Sequence, residues 1–221
     1  DRRQRQMCIR DRLYMDRSIN STTPTFATGF DLGVMMHGLL GNKWEYNLGI
    51  FNGTGIDVNL AQKTLSDDLH IPSLLYAVRI AYMPKGPIPS HQGRIDDLDN
   101  DKIMFALSAS YNVEANWQTT NDLRLGFEFT YLKNRLYLSA EAYYLNSALV
   151  KRQKVDVDYT YIGGYIQAGY FVTRKLQPAL RWDFLDRNST DIKGFLNMPA
   201  IGLNYYISVS YTHLRAHETS A

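Results

Sequence analysis

The sequence contains one cysteine, and it nowhere contains the roughly 18 consecutive apolar residues that a membrane-spanning helix requires, so no such helix is predicted. The single thiol, Cys8, lies near the start of the chain, and a body without thiols suits an oxidising compartment such as the periplasm. Signatures of catalysis and cofactor binding are also missing, among them G-x-S-x-G, H-E-x-x-H, C-x-x-C and a glycine-rich phosphate loop. These absences predict a chain that is not an enzyme and uses no cofactor.

Neither end of the chain shows the periodicity of a folded element. Residues 1–12 and 209–221 follow neither the strand period nor the helix period, and both resemble translated adapter sequence of the kind that flanks assembled gene fragments. The alternative interpretation is a basic N-terminal arm and a C-terminal tail. We therefore predict a native segment, residues 13–208, between two adapter-like, non-native tails.

The formal charge of +2 depends on those tails. Of the 24 basic and 22 acidic residues, the tails hold six and three, which leaves 18 basic and 19 acidic residues in the native segment. A nearly neutral body gives no reason to predict a nucleic-acid partner.

The native segment does contain strict alternation. From Leu123 to Tyr131 every second side chain is apolar or aromatic, and the residues between them, from Arg124 to Thr130, are charged, polar or glycine. Such alternation gives a strand one face for lipid and another for water. The mean hydropathy of −0.32 is compatible with a membrane protein of this kind, because a membrane barrel is polar on average.

The alternation recurs in nine segments, each close to the ten or so residues that a tilted strand needs to cross a bilayer. The predicted strands are 31–39, 43–52, 73–83, 102–113, 123–132, 135–146, 160–172, 176–185 and 198–207. Short turns such as 133–134 alternate with long polar loops such as 147–159, while the prolines of 84–101 predict a fixed bend. We predict an all-β fold, a transmembrane antiparallel up-and-down β-barrel.

The number of strands limits what this chain can form alone. Nine strands are too few for a wide aqueous lumen, and lipid does not tolerate an open sheet edge. The chain is therefore expected to be a fragment of a larger barrel, with tight turns on one side of the membrane and long loops on the other.

Six short stretches occur in an informative order. They are MDRSI at 15–19, FATGFDLGV at 26–34, YNLGIFNGTG at 46–55, GGYIQAGYF at 163–171, RWD at 181–183 and GLNYY at 202–206. Together they resemble the phosphate-selective porin O and P family, over residues 13–208. No single stretch is specific, so the resemblance depends on their order.

This resemblance implies a bacterial outer-membrane porin of about 16 strands, of which the chain would supply the middle and later ones. It also implies a homotrimer, contact with outer-membrane lipid and lipopolysaccharide, and passive diffusion of small anions, such as phosphate or other oxyanions, through a water-filled lumen. The family's basic residues lie largely in the earlier strands, which this chain would lack. A nonspecific general porin is therefore the alternative.

Cations on the water-facing side of the predicted strands are candidates for contact with an anion. They are Arg79, Lys102, Arg124 and Arg181, joined by Arg17 from the stretch that resembles the approach from an inward-folded loop. Arginine suits phosphate because its planar guanidinium donates two parallel hydrogen bonds. The alternative is that the strand cations form salt bridges that stiffen the wall. The partners would be Glu45, Glu128, Glu141 and Asp183 on the same faces, and Asp16 for Arg17.

Other constellations are weaker. The carboxylates of 96–101 alternate as in a calcium loop, but the glycine and glutamate of an EF-hand are missing, which favours a solvated turn. His37 has no second ligand, so no metal site is predicted. A barrel enzyme would need a nucleophile or an acid pair at one rim, and a soluble β-sandwich or lipocalin-like binder would have shorter strands with a polar outward face.

Overall fold

The computed structural model describes residues 13–14, 18, 20, 32–51, 74–88, 101–113, 119–149, 158–188 and 193–206. Its strands form one nine-stranded sheet in which the spatial order equals the order along the chain. Every neighbouring pair is antiparallel. The nine antiparallel, up-and-down strands predicted from the alternation are confirmed.

The strands are bounded as follows. They are β1 Gly33–Leu40, β2 Trp44–Phe51, β3 Leu74–Tyr82, β4 Lys102–Val113, β5 Thr119–Lys133, β6 Leu136–Leu149, β7 Asp158–Tyr170, β8 Leu176–Asn188 and β9 Lys193–Tyr205. Among the described residues, no helix is long and apolar enough to cross a membrane.

Several strands extend further toward the long loops than the alternation predicts. Strand β5 begins at Thr119 instead of Leu123, β6 ends at Leu149, and β9 begins at Lys193. Alternation marks only the part of a strand with one apolar face, whereas ladder hydrogen bonds continue through polar residues as long as two strands stay adjacent. The predicted loop bounds were therefore wrong at this end of the sheet.

The sheet has two chemically different faces. The apolar face carries Phe127, Ile166 and Leu180, whose side chains are 41%, 48% and 60% exposed. The polar face carries Arg79 and Asp183, of which Asp183 is only 2% exposed. Because one register fixes all nine strands, each side chain shares its face with its cross-strand partner. The predicted assignment of apolar and polar faces is confirmed.

Two short turns are built on residues with left-handed backbone. Gly41 and Asn42 both have positive φ, 59° and 55°, and Lys43 N donates to Leu40 O at 3.3 Å. Asn134, in the turn between β5 and β6, has a φ of 50°. Asparagine tolerates this region better than other residues with a Cβ, so the sequence at these turns matches the tight hairpin.

Replacing Asn134 with alanine should lower the free energy of unfolding by about 1 kcal/mol, because alanine disfavours positive φ. Urea unfolding of the full-length porin that contains this chain, refolded in detergent, would measure this. Asn134→Gly is the matched control, because glycine accepts positive φ, and it should unfold at a higher urea concentration than Asn134→Ala. Equal midpoints for the alanine variant and the unchanged protein would contradict the argument.

The bend predicted at 84–101 is described only in part. Gly86 has a φ of 83° and its amide donates to the carbonyl of Met83 at 3.0 Å. Lys85 forms a salt bridge with Asp101 at 3.6 Å, which joins the two ends of the connection. Residues 89–100, including every carboxylate of the rejected calcium loop except Asp101, lie outside the described residues.

Strands β1 and β9 are the two edges of the sheet in the described part of the chain. Apolar side chains at these edges are highly exposed, with Val34 at 81% and Ile201 at 85%. Unpaired ladder groups cost several kcal/mol each in hydrocarbon, of the order of a lost hydrogen bond. Both edges therefore require neighbouring strands in a membrane.

Candidate pore wall

A row of acidic and hydroxyl side chains crosses the polar face. Glu128 of β5 lies opposite Glu141 of β6, which lies opposite Tyr165 of β7, and Tyr165 lies opposite Asp183 of β8. Side chains directly opposite each other in an antiparallel sheet are close enough to interact. Three carboxylates therefore share one row, and each requires a donor or a cation.

Arg79 of β3 is the cation for two carboxylates. Its Nε and Nη2 atoms donate to the two oxygens of Glu128 at 2.8 and 2.7 Å, and its Nη1 atom donates to Glu45 at 3.1 Å. The parallel pair of bonds to Glu128 is the strongest geometry available to a guanidinium and a carboxylate. Between 25% and 38% of each side chain is exposed, so water reaches this network and screens it.

Glu141 is held by hydroxyl groups. Tyr143, two residues along the same strand, and Tyr165, across the ladder, donate to its two carboxylate oxygens. These donors stabilise a carboxylate that lies directly opposite Glu128. Among the described residues, no group of three His, Cys, Asp or Glu side chains is placed to hold a metal ion.

A second cation, Arg181 of β8, pairs with Asp183 on the same strand. The Nε atom of Arg181 donates to Asp183 Oδ2 at 2.7 Å, and the hydroxyl of Ser18 donates to the other oxygen, Oδ1. The guanidinium also lies 4.6 Å from the centre of the Tyr14 ring, within cation–π range. Only 10% of the Arg181 side chain is exposed.

Residues near the start of the chain thus cover part of the polar face. Leu13 is 1% exposed and packs in an apolar cluster with Leu132, Tyr137 and Ala179. Its carbonyl accepts a hydrogen bond from the Asn204 side-chain amide at 2.8 Å. These contacts place Leu13 over strands β5, β6, β8 and β9, at the end of the sheet with the short turns.

Tyr14, Ser18 and Asn20 continue this contact. The Tyr14 hydroxyl donates to the Ala200 carbonyl at 3.1 Å. Asn20 is fully buried, and its Nδ2 atom donates to the carbonyls of Gly164 at 2.8 Å and Phe184 at 3.1 Å. The side chain of Asn20 therefore bridges β7 and β8.

Comparison with known proteins gives a match to a family model. A family model, described as "Phosphate-selective porin O and P", matches residues 9–219. The chain belongs to the phosphate-selective porin O and P family. No curated protein and no solved structure matches it.

Members of this family are channel-forming porins of the bacterial outer membrane, so this chain is an outer-membrane porin. The exposed apolar face of its sheet is the face for lipid, and the polar face is the face for the lumen. The match runs beyond the predicted native segment 13–208 at both ends. The boundaries of the adapter-like tails stay a prediction.

Two of the porin's five predicted pore-lining cations lie in salt bridges. Arg79 bonds to Glu45 and Glu128, and Arg181 bonds to Asp183. Wall bridges of this kind are the alternative interpretation of these cations. Glu128 lies four residues from Arg124 in the sequence, but its salt bridge is with Arg79. The two guanidinium groups face the lumen side with their charge largely compensated.

The other three predicted cations have different surroundings. Lys102 lies at the start of β4, and its Nζ atom donates to the Lys85 carbonyl at 2.9 Å. Arg124 lies on the polar face of β5, half-buried, opposite Ser110 and Leu145. Arg17 lies outside the described residues, so its predicted role is not placed by the structure.

Sequence reasoning missed three residues of the porin's polar face. Arg187 was assigned to a loop because the predicted strand ended at Leu185, whereas β8 continues to Asn188 and places Arg187 opposite Tyr161. The alternation Arg181, Asp183, Leu185, Arg187 was the available signal. Tyr143 and Tyr165, the donors to Glu141, gave no signal of their own, because tyrosine is common on both faces of a barrel.

Proposed function

We propose that this porin passes small anions, with phosphate and other oxyanions among them, by passive diffusion through a water-filled lumen lined by its polar face. The observation that carries the proposal is the presence of several arginines on the lumen side of a porin from a phosphate-selective family. Charged side chains and hydrogen-bond donors along the wall determine which ions enter such a lumen.

We propose different roles for the five cations. Arg124, Lys102 and Arg17 are proposed as direct anion contacts, because Arg124 and Lys102 lie on the polar face of β5 and β4 and Arg17 lies in the stretch that resembles the approach from an inward-folded loop. Arg79 and Arg181 line the lumen and act through the field of the wall, since their guanidinium groups already bond to carboxylates. A guanidinium near the surface of the lumen can still exchange a water-exposed bond for one to phosphate.

A nonspecific, weakly selective porin is the second candidate. The carboxylates Glu45, Glu128 and Glu141 lie around one guanidinium, that of Arg79, and Asp183 compensates Arg181. By formal charge this band of the described wall is not positive. If cations at other positions do not outweigh it, the pore would discriminate weakly between anions and cations.

The assembly is also a proposal. We propose that further strands pair with β1 and β9 to close a barrel of about 16 strands, and that three such barrels form a homotrimer in contact with outer-membrane lipid and lipopolysaccharide. The open edges support the first part of this proposal. Chemical cross-linking of the native membrane followed by gel electrophoresis would test the trimer.

Single-channel recording of the full-length porin that contains this chain tests the proposed function. In a salt gradient, the sign of the reversal potential should indicate anion preference. Phosphate should change the single-channel current, by carrying it or by blocking it, at concentrations where sulfate and chloride do not have the same effect. Absence of conductance would contradict the proposal that the protein forms a channel. A reversal potential near zero with no phosphate effect would favour the nonspecific porin.

Arg124→Ala should shift the reversal potential toward cation preference, because it removes a positive charge from the lumen face. Arg124→Lys keeps the charge and should shift it little. The matched control is Lys133→Ala, which removes an exposed cation at the end of the same strand. Equal reversal potentials for Arg124→Ala and the unchanged porin would end the proposed role of Arg124.

A further inference from the structure

We propose that Asp183 and Arg181 are positioning residues that hold the residues near the start of the chain, Leu13, Tyr14, Ser18 and Asn20, against the polar face. These four described residues then occupy part of the lumen cross-section along β7, β8 and β9. The inference rests on the channel proposed above. It gives Arg181 a role in shaping the lumen in place of direct contact with solute.

Ser18 and Asn20 form the polar attachment to the wall, and this attachment is centred on Asp183. A carboxylate that is 2% exposed is stable only when its oxygens are bonded. One oxygen bonds to Arg181 of the wall, and the other accepts the hydroxyl of Ser18. Asn20 adds two further bonds, to carbonyl groups of β7 and β8. If Ser18 left, Asp183 would keep its negative charge and lose one of its two partners.

The apolar attachment depends on two glycines that allow close approach. A Cβ atom added to Gly169 would lie 2.7 Å from Leu13 Cδ1, and one added to Gly202 would lie 3.1 Å from the Tyr14 ring. Neither glycine has a positive φ, so the backbone conformation itself does not require glycine there. The missing side chains instead leave the space in which Leu13 and Tyr14 lie.

Arg181 connects the two attachments. Its Nε atom bonds to Asp183, and the face of the Tyr14 ring lies against its guanidinium. The same side chain therefore touches the apolar end of the attached residues and the carboxylate that binds their polar end. Two separate chemistries, burial of Leu13 and bonding of Ser18 and Asn20, converge on a single strand, β8.

A labelling experiment on the full-length porin tests this inference. In a porin without other thiols, Leu13→Cys places a thiol at a position that is 1% exposed, so a charged thiol reagent should react slowly. Adding Asp183→Asn should increase the labelling rate about tenfold, the factor expected from loss of one charge-assisted hydrogen bond. Asp183→Glu, which keeps the charge, should restore part of the slow rate. Single-channel conductance should rise in parallel with labelling.

The control is Asp186→Asn, which removes a carboxylate from the same strand but from the opposite, exposed face. It should change neither labelling nor conductance. Ser18→Ala is the second variant, in case Asp183→Asn fails to fold, and it should accelerate labelling in the same direction without altering the wall. Unchanged labelling in Ser18→Ala and in any folded Asp183→Asn protein would overturn the inference.

The two readouts separate this inference from the proposed function. If the variants accelerate labelling but the porin conducts no ions, the attachment stands and the channel fails. If conductance and anion preference are as proposed but labelling does not respond, the channel stands and the positioning role of Asp183 and Arg181 fails.

Discussion

Phe127→Arg is expected to destabilise the folded porin in a bilayer by about 2–4 kcal/mol, the cost of an arginine near the bilayer midplane on the lipid face of a barrel. Phe127 lies near the centre of β5, and 41% of it is exposed on the apolar face. A guanidinium placed there would lose its hydration without gaining a partner. Urea titration of the full-length porin in lipid vesicles, followed by tryptophan fluorescence, measures the loss.

The matched control for this substitution is Thr130→Arg. Thr130 lies three residues further along the same strand, on the polar face, opposite Met104 and Ser139. An arginine at this position can extend into the aqueous lumen, so the unfolding midpoint should change little. If Thr130→Arg were the more damaging of the two, the two faces of the sheet would have been assigned the wrong way round, and the lumen with them.

Much of this fold could be predicted because alternation and turn chemistry are local. The hydrophobic period identified all nine strands, and asparagine at 42 and 134 marked tight turns where φ is positive. Alternation also assigned Phe127, Ile166 and Leu180 to one face and Arg79 to the other. Alternation could not predict where a strand ends in water, because the hydrogen bonds between strands continue there without an apolar face.

The candidate site was less predictable because it depends on register. The sequence places Glu128 four residues from Arg124, but the register puts Arg79 opposite Ser108, and Ser108 opposite Gly126, which brings Glu128 within 2.7 Å of Arg79. Neither the sequence of β3 nor that of β5 shows by itself that Arg79 and Glu128 are neighbours. Arg181 and Asp183, two residues apart in the sequence, do form a bridge, whereas the partner of Glu128 is determined by the register.

The contact between Ser18 and Asp183 is still less local. The two residues are separated by 165 positions in the sequence. Serine and aspartate are both common in exposed loops and at exposed strand ends, so neither residue type predicts burial. Their burial follows only from the position of Tyr14 against Arg181 and of Asn20 across β7 and β8. A resemblance to an inward-folded segment could suggest the region, but it could not identify the wall residues that bind it.

Arg79→Met is expected to have the largest effect on ion preference, because it removes the one cation that bonds to both Glu45 and Glu128. Two carboxylates on the lumen face would then be uncompensated, with Glu141 directly opposite Glu128. The reversal potential in a salt gradient should move strongly toward cations. Stability should fall by about 1–3 kcal/mol, less than for a fully buried pair because water screens the exposed fraction.

The complementary variant removes the acids and keeps the cation. Glu45→Gln combined with Glu128→Gln should move the reversal potential in the opposite direction, toward anions, because Arg79 then faces the lumen without a carboxylate partner. Adding Arg79→Met to this pair should move the reversal potential about halfway back, since one cation and two acids made neutral together remove a net charge of −1 from the lumen face. The unchanged porin, the double variant and the triple variant could all show the same reversal potential. In that case the Arg79 network would only stiffen the wall, and ion preference would have to depend on Arg124, Lys102 and other cations of the lumen.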